Sequence, residues 1–100
     1  MPAKKRKGAR MMRVDYLWDD SHVGAAIFDA RLMEHGPVAV VDVPSRGPTL
    51  SAITAKFRAR VESGVELGIE VIRIERRANE RLSTIVGFLV PRHTPHVENF

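Results

Sequence analysis

The sequence predicts an α+β domain, a small three- to four-stranded mixed sheet with two helices packed on one face. Three observations carry that expectation. The run "VAVVDV" (38–43) is nearly continuous in β-branched residues and stops at Pro44, the pattern of a strand buried on both faces. Apolar residues recur at helical spacing on either side of it: Val23, Ala26, Ile27, Ala30 and Met33 before, Leu50, Ile53, Phe57 and Val61 after. Two further apolar runs, "IEVIRIE" (69–75) and "STIVGFLV" (83–90), flank "RRANER", whose Asn79 suits the left-handed conformation of a hairpin turn.

Taken in order, "RMMRVDYLW" (10–18) alternates as a strand, with Met12, Val14, Tyr16 and Trp18 on one face. Asp19, Asp20 and Ser21 supply N-cap chemistry and Gly36-Pro37 a stop, bracketing a helix over residues 20–35. Ala25, Phe28 and Leu32 give that helix a second apolar face. Strand 38–43 takes a central place, and a second helix runs over 49–63 to Ser63-Gly64, with Ala52, Ala55 and Ala59 forming a small-residue face opposite its main stripe. A helix between strands 38–43 and 69–75 makes them parallel through a right-handed crossover, with 83–90 antiparallel beside 69–75. Ile72 and Ile74 then oppose Ile69 and Val71, while Val86, Phe88 and Val90 oppose Ile85 and Leu89. One apolar sheet face is left for a partner or a second copy.

At 100 residues the chain is one domain, divided into a flexible basic arm (1–10), a globular body (11–91) and a C-terminal tail (92–100). The net charge of +4 is unevenly spread: six of the sixteen basic residues precede Asp15, and the rest of the chain carries ten basic against twelve acidic groups. Polycation character therefore belongs to the arm. Cysteine is absent, which removes disulfides, thiolate nucleophiles and thiolate metal sites and fits a cytoplasmic setting. No apolar run has membrane-spanning length, so no membrane partner is expected.

The stretch "DVPSRGPTL" (42–50) carries the sharpest functional question. A strand, a loop and a helix start at Thr49 can hold a phosphate, because free backbone N–H groups and the helix dipole converge there. Ser45, Arg46 and Thr49 are the candidate contacts, with Lys56 and Arg60 flanking the same groove edge and Lys4, Lys5, Arg6, Lys7, Arg10 and Arg13 supplying non-specific contact to a nucleic-acid backbone. Pro48 counts against this reading, since it removes one donor, and a plain strand-to-helix connection is the alternative. Arg73, Arg76, Arg77 and Arg81 crowd the hairpin, but Glu75 and Glu80 interleave with them. His22, His35, His93 and His96 are scattered, and neither a metal, a cofactor nor a small-molecule substrate is implied; the chain is not expected to be an enzyme.

The block "ARLMEHGPVAVVDVPSRGPTLSAITAKFRARVESG" resembles small uncharacterised proteins of actinobacterial phages in its pattern of elements, over about residues 19–90. It departs from them in having Arg58-Ala-Arg60 and a later Gly64 where they end the helix in Arg-Arg-Gly. The resemblance implies a small accessory phage protein and transfers no site residue. The function expected is a non-enzymatic binding module that contacts DNA through the arm and the loop-to-helix corner. The alternative is a module that docks on a host protein, or on itself as a homodimer, through an apolar sheet face.

Overall fold

The computed structural model describes residues 10–76 and 81–92. It replaces the expected α+β sandwich with a single six-stranded sheet in which every paired neighbour is antiparallel. The strands are β1 (Met11–Trp18), β2 (Ser21–Asp29), β3 (Val38–Val43), β4 (Phe57–Val61), β5 (Glu66–Arg76) and β6 (Ser83–Pro91). Their order across the sheet is β2-β1-β4-β5-β6-β3, and the sheet coils until its two end strands, β2 and β3, approach each other without ladder pairing. The result is nearly a barrel. Two short helical segments accompany it, a 3-10 helix at Ala30–His35 and α1 at Leu50–Lys56.

The expected helix over 20–35 is instead the second strand of a hairpin followed by the 3-10 helix. Asp19 and Asp20 do not cap a helix; both have positive φ, 53° and 68°, the pattern of a two-residue type I′ turn joining Trp18 to its partner Ser21. Between Tyr16 and Leu17 the register shifts, leaving Val23 as the extra residue of β2. That bulge lets Val23, Ala26 and Phe28 all pack on the core, a spacing that imitates a helical stripe. Gly24 lies opposite Tyr16, where the ring covers it.

The second expected helix survives only as α1. Its last bond is the Phe57 N–H donating to the Ile53 carbonyl, and from Phe57 the backbone is extended. Phe57, Ala59 and Val61 then alternate inward along β4, opposite Trp18, Tyr16 and Val14 of β1. A spacing of four residues, Phe57 to Val61, serves a strand as well as a helix. Ala59 is therefore a core residue and no alanine face exists on α1. Ser63-Gly64 belongs to the β4–β5 turn, where Gly64 has φ +97° and donates to the Val61 carbonyl at 2.8 Å.

Strand β3 sits at the edge, not the centre, and pairs with β6 alone. No parallel crossover forms. Ala39, Val41 and Val43 are buried while Val38 and Val40 face out, so the all-apolar run conceals an ordinary alternation. In β5 a register shift between Val71 and Arg73 pushes Ile72 outward and returns Ile74 to the side of Ile69 and Val71. Strand β6 keeps the expected alternation, with Ile85 and Leu89 in the core and Phe88 outside. The core gathers these inward rows with Ile53 of α1, each fully buried Ile, Leu or Phe contributing about 1.5–3 kcal/mol. Among the described residues no helix is long and apolar enough to cross a membrane.

Candidate functional site

Because β3 is an edge strand, its outward residues and their neighbours across the ladder form one continuous strip. Val38 stands opposite Phe88 and Val40 opposite Val86; Glu70 of β5 lies on the far side of Phe88, and Ile72 is displaced outward beside it by the bulge. Val38, Val40, Ile72 and Phe88 are 49%, 62%, 50% and 39% exposed. Beside Phe88 a shallow groove of about 430 Å³ runs between the 3-10 helix, the middle of β5 and the end of β6, lined by Met33, Phe88 and Val90 together with Glu34, His35 and Glu70. Its lining is apolar apart from two carboxylates and one imidazole.

The residues expected to bind phosphate are not assembled into a site. Lys4, Lys5, Arg6 and Lys7 lie outside the described residues, as do Arg77, Asn79, Glu80, His93 and His96. Arg10 is exposed at the start of β1, its carbonyl accepting from Ala30 N–H at 2.6 Å. Ser45 and Arg46 occupy the loop after β3, Lys56 closes α1 with its ammonium 5.8 Å from the centre of the Trp18 ring, and Arg60 projects from the outer face of β4. Thr49 spends its hydroxyl oxygen capping α1, accepting from Ala52 N–H at 3.1 Å. The helix has seven residues, Pro48 is buried and lacks an N–H, and Gly47 has no left-handed φ.

Arg13 and Arg60 do share a surface, the outer face of β1 and β4, but carboxylates already occupy them. Arg13 Nε donates to Asp15 Oδ1 at 2.9 Å, with His22 Nε2 3.3 Å from the same oxygen. Arg60 reaches Glu66 at 2.8 Å, and Arg58 spans Glu66 at 3.5 Å and Asp20 at 3.3 Å. Bonding to Arg13 lowers the Asp15 carboxyl below its usual range, Arg60 does the same for Glu66, and Glu66 in turn raises Arg60. Three guanidiniums thus meet three carboxylates. These ion pairs offset the charge that would draw a phosphate here.

No known protein family, curated protein or solved structure matches the chain. Function has to be read from the surface itself. Among the described residues no cluster of three or more His, Asp or Glu side chains is placed to hold a metal ion. Sequence reasoning singled out Phe88 as facing away from Ile85 and Leu89; it missed Val38 and Val40, whose exposure follows from which face of β3 turns outward, and Glu34 and Glu70, which tertiary packing brings beside Phe88.

Proposed function

We propose that this chain is a non-enzymatic protein-binding module whose docking surface is the outer face of β3 and β6. The observation that carries the reading is the exposed strip of Val38, Val40, Ile72 and Phe88 beside the groove at Met33. Apolar surface gathered on the outer face of a sheet favours partner docking by burial. Glu34 and Glu70 at the groove suit a partner with a basic residue beside an apolar centre, while exposed Arg73, paired with Val86, suits an acidic one at the other end of the strip.

Val40→Glu and Phe88→Glu test this. Both side chains face solvent, so each change should shift folding stability by only about 0.5 kcal/mol. Sedimentation velocity and affinity capture should show self-association or a bound partner with the wild-type chain and loss of it with either variant. A wild-type monomer that captures nothing overturns the reading. A DNA mobility shift that survives Val40→Glu and disappears on neutralising Lys4, Lys5, Arg6 and Lys7 assigns the function to the arm instead.

A further inference from the structure

A second concavity lies where α1 meets the start of β5 and the end of β6, adjoining the docking groove at Val90 and Pro91. It has a volume of about 200 Å³ and is lined by Ile53, Thr54, Phe57, Gly68, Ile69, Val90, Pro91 and Arg92. Ile53 and Phe57 are fully buried and make its floor, and Ile69 and Val90 are half-buried. The space exists partly because residue 68 has no side chain: a Cβ there would meet nothing nearer than the Arg92 Cα at 3.9 Å.

Arg92 is half-buried, and its one described bond is from Nη1 to the Phe57 carbonyl at 3.3 Å. Among the described residues no carboxylate lies within 4.0 Å of it, the limit for a salt bridge. Glu66, the carboxylate that feels the Arg92 charge, is already bonded to Arg60 at 2.8 Å and lies 3.5 Å from Arg58. A guanidinium offers five N–H donors in a fork shaped for a carboxylate, and four remain for a ligand.

The geometry points to a binding site for a short-chain aliphatic carboxylate, its chain on Ile53, Phe57 and Ile69 and its carboxylate on Arg92. At about 30 Å³ per water-sized group the cleft takes about six such groups, the length of a hexanoate chain. The cleft adjoins the docking groove at Val90 and Pro91, but its anchor Arg92 and its floor of Ile53 and Phe57 play no part in the protein-docking reading.

Hexanoate is the probe, titrated by calorimetry into the full chain, with acetate and 1-hexanol as controls for charge and chain alone. Hexanoate should bind at least about tenfold more tightly than either control, the range of a charge-assisted bond added to apolar burial. Arg92→Gln should remove the advantage over hexanol while leaving hexanol binding unchanged. Gly68→Val, which suits a strand and has room for its Cβ, should fill the cleft and abolish binding of both, with the far-ultraviolet circular dichroism of the wild type retained. Arg92→Lys, which keeps the charge, should retain part of the advantage if Arg92→Gln fails to fold. The assignment is overturned if hexanoate binds no better than acetate, or if the Gln and Val variants bind it as the wild type does. Binding that appears only in a chain ending at Arg92 also overturns it, because residues 93–100 are then the occupant.

Discussion

Gly87 offers the most direct test of the β5–β6 pairing. It lies on β6 opposite Val71, beside the register shift of β5. A Cβ built there would stand 2.7 Å from Ile69 Cγ1 and 3.0 Å from the Glu70 carbonyl carbon, with the Glu70 oxygen nearer still. The Ile69 chain can turn aside, but the Glu70 peptide moves only if β5 and β6 separate. Gly87→Ala therefore adds an overpacking cost of about 1–3 kcal/mol to strained or lost ladder bonds at about 1 kcal/mol each, a total near 3 kcal/mol or above. Gly68, two positions from Glu70 on the same strand, is the internal control. Its Cβ would make ordinary contact at 3.9 Å, so Gly68→Ala should be neutral or stabilising by about 0.4–1 kcal/mol. In urea, at a slope of about 1–3 kcal/mol per molar, the Gly87 variant should lose about 1–3 M of midpoint, equivalent to about 12–24 °C in Tm. A Gly87→Ala midpoint within about 0.3 M of wild type, or a Gly68→Ala loss of equal size, refutes the pairing drawn here.

Three other perturbations test separate parts of the structure. Replacing Asp19-Asp20 by Asn-Gly, the pair favoured where both φ values are positive, should raise stability by about 1 kcal/mol in chemical denaturation, since the exposed Asp20–Arg58 pair that it removes contributes little. Bonds from the Arg31 side chain hold the Asp29 carboxyl at about 2, against an ordinary 3.8; the stability tied to that ionisation is present above the ordinary value and is lost as pH falls through the lower one. Arg31→Gln should move the Asp29 midpoint, followed by NMR, back toward 3.8 and make acid unfolding begin at higher pH. Burial pushes Tyr16 up to about 12 from 10.0, so the fold keeps it neutral and loses stability between those two values as the unfolded chain ionises. Its hydroxyl is buried without a hydrogen-bond partner among the described residues, and Tyr16→Phe should raise stability by about 1 kcal/mol at neutral pH and remove this alkaline loss, as melts across the pH range would show.

The sequence disclosed β1, β3, β5 and β6 as strands, and among them the inward face was plainest in β1 and β6. In β1, Met12, Val14, Tyr16 and Trp18 face the core at strict period two, and in β6 Ile85 and Leu89 do the same. The helix over 20–35 failed as an expectation because one extra residue, Val23, converts period two into a spacing of three before Ala26. The helix over 49–63 failed because Ile53, Phe57 and Val61 keep one spacing across a change of backbone conformation. Asp19-Asp20 misled for a related reason: acidic residues before an amphipathic stretch read as a cap, whereas here the same side chains tolerate positive φ in a hairpin turn. Local pattern is degenerate at such points, and tertiary pairing decides between the states.

The candidate site was harder to read than the fold because its residues acquire meaning only from register. Nothing in "VAVVDV" says which valines see solvent; that follows from the register with β6, which sets Ala39 and Val41 beside Gly87 and Ile85 on the core face and leaves Val38 and Val40 outside. The basic residues behave the same way. Arg60 is four positions from Lys56 and would share its groove edge on a helix, but Lys56 ends α1 over Trp18 while Arg60 stands on a strand opposite Asp15 and bonded to Glu66. A cation counts toward phosphate binding only while its charge is unspent. On the outer face of β1 and β4 the carboxylates of Asp15, Asp20 and Glu66 have already met the guanidiniums, which leaves the apolar strip as the feature of this body that gains most from a partner.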